Sequence, residues 1–473
     1  MKKLFLATLL FVFLFGNLVT VFANVRLPAI IGTHMVLQQN STVNIWGWCD
    51  PGEKVSVSPA WDTTTYHATG FSNAKWSLQI KTPAAGGPYK ITINGYNTIV
   101  LEDVLVGEVW VCSGQSNMEM SYNWGVKQYK ADIENGANKH IRFFQIPKLT
   151  ADYPQDDTKG MWVVCDTENL KRFSLVGYFF GRQLQQSLNM PVGLINTSWG
   201  GTPAETWTPK DTIENNEVLK TAAGKLKAAD GWPVSAGFTY NAMINPIINY
   251  AIAGAIWYQG EANVNTASTY TQLLQTMIAT WRKVWKKDFP FYFVQIAPFA
   301  GYGEKGISSA LLREAQTRAS AFPNTGMVVI HDLVDNIHDI HPQQKKEVGL
   351  RLANYALAET YGKKETIYKS PMYKNVAIVK DRAVINFENA DKGIMSKGDT
   401  ITGFYIAGAD KIFVPAMAKI QGNTIVAWNK NIKAPVAVRF GFTNDGIPNL
   451  FGKDGLPVSI FRTDDWDVKT EPK

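Results

Sequence analysis

Apolar and polar positions change rhythm twice along this chain. Between residues 24 and 103 they alternate with period two in short runs, as in Thr42-Val-Asn-Ile-Trp-Gly-Trp48, Lys54-Val-Ser-Val57 and Tyr89-Lys-Ile-Thr-Ile93. Such alternation puts successive side chains on opposite faces of a strand. Asp50-Pro-Gly52 and Ala85-Gly-Gly-Pro88 are turn signals between the runs, so 24–103 reads as a small β-sandwich-like domain.

From 104 to 366 the strands become continuously apolar and helical patterns separate them. Val104, Val106, Val109 and Val111 open the first strand; further strands fall at 141–146, 192–195, 254–258, 291–296 and 327–330. Ser174 stands where a helix cap belongs, before Val176, Phe180, Leu184 and Leu188 at four-residue spacing, and Pro191 follows the helix end. Tyr270, Leu273, Leu274, Met277, Ile278, Trp281 and Trp285 mark a second amphipathic helix. Alternating strands and helices predict an α/β fold, a mostly parallel sheet flanked by helices. Residues 367–473 return to short strands with Gly- and Asp-rich connections, a C-terminal all-β region.

The chemistry lies where the strands of the middle region stop. The first runs into Ser113-Gly-Gln-Ser-Asn117, the one at 192–195 into Asn196-Thr-Ser-Trp-Gly-Gly-Thr-Pro203, and the one at 254–258 into Gln259-Gly260-Glu261. The strand at 327–330 leads into a loop with His331, His338 and His341, half of the six His in the chain. In a parallel sheet these ends share one edge, where ligands bind, so the groups can converge on Ser116. A Ser nucleophile needs a base, and the pKa of His suits that task. His341 precedes Pro342, a residue suited to the first position of a helix whose stripe is Val348, Leu352, Tyr355 and Ala356, with Gly362 as its C-terminal cap. A competing reading of the same loop is a metal site built from His338, His341 and Asp335 or Asp339, but no Cys assists and no HExxH motif is present.

Gly114-Gln-Ser-Asn-Met118 resembles the nucleophile block of the sialate O-acetylesterase family, a branch of the SGNH (GDSL-like) hydrolases. Trp199-Gly-Gly201, Trp257-Tyr-Gln-Gly-Glu-Ala-Asn263, Asp339-Ile-His-Pro-Gln-Gln-Lys345 and Asn449-Leu-Phe-Gly-Lys-Asp-Gly-Leu-Pro457 resemble further blocks of that family, in its order. The resemblance implies an SGNH-type catalytic domain and a serine esterase that removes O-acetyl groups from sialic acids without a cofactor. It implies Ser116 as nucleophile and His341 as base. The oxyanion would be held by the N–H of Ser116, the N–H of Gly200 or Gly201, and an amide side chain. Gln259 takes that last role, with Asn263 as the fallback. Glu261 is expected to brace its loop against Arg313. The orienting acid departs from the family pattern, which places Asp three residues before the His; here that position is His338, and Asp339 is the nearest acid, with Asp335 and Asp332 further off. Asp339 is the candidate, and a Ser–His dyad is the alternative. The activity alternatives are an acetylxylan-type esterase acting on other acetylated glycans, and a non-catalytic glycan-binding protein.

Composition narrows the setting. Residues 1–23 combine Lys2 and Lys3, a short apolar run and Val21-Phe-Ala23, the pattern of a cleaved signal peptide, so export to the periplasm or medium is expected. No later stretch has the length and apolarity of a membrane span. The formal charge is +7, with no basic run or stripe that would bind nucleic acid. The three Cys leave one unpaired whatever the others do, and only Cys49 and Cys165 lie outside the buried strand that carries Cys112.

Overall fold

The computed structural model describes residues 24–303 and 306–467; the expected signal peptide lies outside the described residues. The first strands are β1 (Val36–Gln38), β2 (Thr42–Trp48), β3 (Lys54–Pro59), β4 (Tyr66–Thr69), β5 (Lys75–Lys81), β6 (Gly86–Asn94) and β7 (Thr98–Gly114). β2 and β5 form an antiparallel pair, and β3 pairs with β4 and β6. β7 is 17 residues long. Its first half pairs antiparallel with β6, and its second half lies parallel in the next sheet. The expected boundary at 103/104 therefore falls inside one strand. The pattern changes there because the strand passes from a half-exposed setting into a fully buried one.

The remaining strands of that sheet are β8 (Asn138–Gln145), β9 (Trp162–Cys165), β10 (Val192–Ser198), β11 (Gly254–Tyr258), β12 (Phe291–Val294) and β13 (Thr325–Val328). Their order is β13-β12-β11-β7-β10-β8-β9, parallel throughout except for the β8–β9 pair. β7 is central, so the loop after it opens at the middle of the sheet edge.

Helices cover both faces, as the class requires. Four matter here after α1 (Ser116–Glu119): α2 (Leu175–Leu188), α3 (Ala267–Trp285), α4 (Ser308–Ala319) and α5 (Lys345–Glu359). Ser174 caps α2 by accepting the Gly177 N–H at 3.0 Å, a contact that contributes about 1 kcal/mol. α5 begins at Lys345, not at Pro342. Gln344, at ψ 51°, is outside the helical region, so His341 stands on an irregular turn before the helix. Under the sheet, Trp257 of β11 packs edge-on against Trp207 and Trp281 with centroids 6.1 and 6.0 Å apart. Eight of the 15 Trp are buried, so the Trp-rich composition is largely core. Cys49, Cys112 and Cys165 are all buried free thiols.

The C-terminal region holds two four-stranded antiparallel sheets. It is fastened to α4 through Arg462, whose guanidinium grips Glu314 at 2.9 and 3.1 Å, and through Asn444, whose Oδ1 accepts the Ser309 N–H at 2.8 Å. Among the described residues no helix is long and apolar enough to cross a membrane.

Candidate active site

β7 ends at Gly114, with φ +134°. A Cβ there would stand 2.2 Å from the Tyr258 carbonyl oxygen, so only Gly lets β7 turn this close to β11. The turn delivers Ser116 as the first residue of α1, 8% exposed. Its Oγ is 2.9 Å from His341 Nε2. The two residues are 225 positions apart in sequence, and the sheet edge joins them. They share a cavity of about 350 Å³, walled by Trp124, Trp232 and Tyr302, with Gln115, Lys148, Gly200, Gly201 and Glu261 also lining it.

Asp339 lies on the far side of the imidazole. Its Oδ1 accepts the His341 backbone N–H at 2.9 Å and stands 3.7 Å from Nδ1, an ion-pair distance and not a hydrogen bond. The other two acids are committed elsewhere. Asp332 takes both ends of the Arg351 guanidinium at 2.7 Å each, and Asp335 accepts from Gln344 at 3.0 Å. His331 is buried, its burial pushing its pKa down to about 3, and His338 is exposed. Among the described residues no three His, Cys, Asp or Glu side chains are placed to hold a metal ion.

The oxyanion candidates separate. Gly201 has φ +76°, and a Cβ would strike the Trp232 ring at 2.5 Å; its N–H has no protein partner among the described residues, and nor has that of Ser116. The Gly200 N–H is already taken by Glu119 Oε2 at 2.8 Å, and Lys148 holds the other oxygen of that carboxylate at 2.6 Å. Gln259 does not reach the cavity. It is fully buried, its Nε2 donating to Asn263 Oδ1 (2.7 Å) and the Thr202 carbonyl (3.2 Å), its Oε1 accepting from Tyr270 (2.8 Å). Asn263 stands behind the wall with it, donating to Glu205 at 2.8 Å. The expectation for Gln259 came from its place at a strand end, but the side chain turns inward to meet α3. The amide that does line the cavity is Gln115. Its Oε1 accepts weakly from the N–H groups of Gly260 and Ala262 (3.4 and 3.3 Å), and its Nε2 has no protein partner among the described residues.

Glu261 does not pair with Arg313 either. Arg313 turns toward the C-terminal region, where its guanidinium donates to the Thr443 carbonyl, and burial lowers its pKa to about 9. Glu261 instead accepts from Asn117 Nδ2 at 2.6 Å. That same amide donates to the Ile340 carbonyl at 3.1 Å, and its Oδ1 accepts from Lys345 Nζ at 2.5 Å. Asn117 thus ties the neighbour of Ser116 to the neighbour of His341 and to a buried acid and a buried base. Burial raises the Glu261 pKa, against its hydrogen bond from Asn117 and the Lys345 charge. Burial lowers that of Lys345 to about 7, against Glu261 and Asp339. The His341 pKa is lowered by burial first and by Lys345 second, with Asp339 opposing. A depressed pKa keeps the imidazole neutral at pH 7, the form a base requires. Asn117 and Lys345 sit inside the motifs quoted above, but nothing in the sequence marked them as a network. Trp124, Trp232 and Lys148 lie outside every motif.

A Ser hydroxyl bonded to a His, at the carboxyl edge of a parallel sheet and beside free backbone N–H groups, is the arrangement of a serine hydrolase. Comparison with known proteins gives the family: residues 106–358 match the one described as "Carbohydrate esterase, sialic acid-specific acetylesterase", and the chain belongs to it. It is 29% identical over 397 residues to the human sialate O-acetylesterase, covering 76% of each chain. It is 28% identical over 422 residues to the mouse one, covering 76% of this chain and 78% of that one. A crystal structure of a carbohydrate acetylesterase from Xanthomonas citri superposes with a TM-score of 0.85 at 34% identity, over 93% of this chain and all of that one. The fold class expected from the sequence, an SGNH-type sheet with β regions at both ends, is the observed one.

Proposed function

We propose that this protein is a serine carbohydrate esterase that removes O-acetyl groups from sialic acids and releases acetate. The observation that carries the reading is the 2.9 Å contact between Ser116 Oγ and His341 Nε2 on the floor of an aromatic-walled cavity. His341 takes the hydroxyl proton as Ser116 attacks the acetyl carbonyl. The oxyanion that forms lies against the N–H groups of Ser116 and Gly201, with the Gln115 amide as third donor. The protonated His341 gives its proton to the sugar oxygen as the C–O bond breaks. Water, deprotonated by His341, then splits the acetyl-enzyme into acetate and free Ser116. Asp339 stabilises the imidazolium through its charge. The segment before Asn24 directs the chain out of the cytoplasm, which places the enzyme among extracellular or periplasmic glycans.

One observation favours a second reading, acetyl removal from other glycans such as acetylated xylan. Among the described residues lining the cavity Lys148 is the one cation, and Glu119 already holds it. A sialic acid carboxylate would have to compete with that pair. Acetate release from O-acetylated sialic acids and from acetylated xylo-oligosaccharides, measured side by side with Ser116→Ala as the blank, tests both. Turnover of the sialic acids at the higher kcat/KM is the expected result. Preference for the xylan fragments supports the second reading, and turnover of neither overturns both.

A further inference from the structure

A second cavity shares no lining residue with the one over Ser116. It is a cleft of about 540 Å³ between the β2–β5 pair and the catalytic sheet. The register of the pair explains its floor. Asn44, Trp46 and Trp48 point to one face of β2, and their cross-strand partners Gln79, Ser77 and Lys75 point to the same face of β5. The opposite face of the pair carries Val43, Ile45 and Ile80 and is core. The other wall is the turn ending in Asn249, together with Trp285 and Lys286 at the end of α3. α3 ends just before β12 begins, and Asn249 precedes β11. The cleft therefore opens at the amino edge of the parallel sheet, opposite the edge that holds Ser116.

A mere seam between packed elements would be lined by apolar atoms. Here Trp46 and Trp48 stand side by side on the floor, opposite Ser77 and Lys75, with Asn44 and Gln79 beyond them. Trp48 is partly exposed, and Phe71, 53% exposed, stands at the rim. Ser77 Oγ, Gln79 Oε1, the Asn249 side-chain amide and the Lys286 ammonium have no protein partners among the described residues. The seam is held independently of them, by Lys75 with Asp156 at 2.7 Å and by Asn44 Nδ2 on the Asn249 carbonyl at 3.2 Å. Flat rings beside amides and hydroxyls fit a ligand whose faces carry C–H groups and whose rim carries hydroxyls. We propose that this cleft is a second saccharide site, which holds a glycan chain while the catalytic edge works on another chain or on a distant part of the same one.

The proposal does not depend on which acetyl ester the enzyme cleaves. It is tested on the full chain by titrating wild type, Ser116→Ala and the double variant Trp48→Ala/Phe71→Ala with sialyllactose, lactose and xylohexaose, in a calorimeter. Phe71 is exposed, and Trp48 is partly exposed with the Arg26 guanidinium 4.8 Å over its ring; hydrolysis of 4-nitrophenyl acetate, which needs only the catalytic edge, checks that the variant is folded. The expected result is saturable binding of at least one saccharide by wild type and Ser116→Ala, weakened tenfold or more in the double variant, with ester hydrolysis unchanged. The proposal fails if none of the three saccharides binds. It fails equally if binding survives the double substitution, which would assign it to the cavity over Ser116.

Discussion

Replacing Asp339 by Asn tests how the imidazole is stabilised. The substitution removes one charge and leaves an oxygen able to accept the His341 N–H, so the turn that carries His341 keeps its bond. The carboxylate stands 3.7 Å from Nδ1, with the two side chains 30% and 45% exposed. At that distance Coulomb's law gives about 1 kcal/mol with water-like screening and about 4 kcal/mol with the screening usual near a protein surface. A carboxylate nearly half in solvent belongs toward the lower figure. A contribution of about 1–2 kcal/mol to the imidazolium corresponds to a fall in kcat of about 5- to 30-fold. That is far less than the roughly 10⁴-fold loss seen when a buried, hydrogen-bonded triad Asp is changed to Asn. The pH profile should move as well. Asp339 raises the His341 pKa against burial and Lys345. Without it the pKa falls further, so His341 stays neutral to lower pH and the acid limb of kcat/KM shifts downward. Initial rates on a chromogenic acetyl ester across the acid and neutral range measure both effects. A loss near 10³-fold or more would refute the reasoning, because it would mean that the carboxylate closes onto Nδ1 during turnover. An acid limb that moves upward would refute the electrostatics.

Lys345→Met should move the same limb the other way, since the ammonium depresses the His341 pKa and its removal lets that pKa rise; a kcat/KM profile unchanged from wild type would contradict the placement. Gln115→Ala should lower kcat about 10²-fold with little change in KM, as loss of an oxyanion donor does, whereas Gln259→Ala should leave kcat of the folded enzyme within about threefold of wild type and act on thermal stability instead; the reverse outcome in steady-state kinetics would return the role to Gln259. Asp332→Asn breaks a largely buried bidentate pair with Arg351. It should cost about 3 kcal/mol of stability by denaturant titration while kcat stays near wild type.

What the sequence made legible, and what it did not, follows from how far each signal reaches. Strand ends can be counted along a chain, so Ser116, Gly201 and His341 could be set on one edge from apolar runs alone. Which way a side chain turns at such an end depends on neighbours distant in sequence. Gln259 is the right residue type at the right strand end, yet Tyr270 on α3 draws it into the core. Glu261 and Arg313 are a plausible pair by charge, but the nearer partner of Glu261 is the amide of Asn117, a neutral side chain that no charge pattern reveals. The division at 103/104 was read from a change in alternation. Hydrogen bonding does not follow alternation, and β7 runs on unbroken. The helix after His341 starts late because Pro342 fixes only its own φ, while the side chain of Gln343 bonds back to the His341 carbonyl and holds the turn open.

The length of β7 has a mechanical meaning. One strand is hydrogen-bonded to β6 at one end and presents the turn of Ser116 at the other, with β10 and β11 on either side between them. The N-terminal β region therefore hangs from the same rod that carries the nucleophile, and no linker separates them. Whatever that region grips is held at a set spacing from the reacting hydroxyl, as a jig holds a workpiece at a fixed offset from the tool. Acetyl esters that lie at that offset on a bound glycan would be hydrolysed during one residence, and those that do not would leave with the glycan intact.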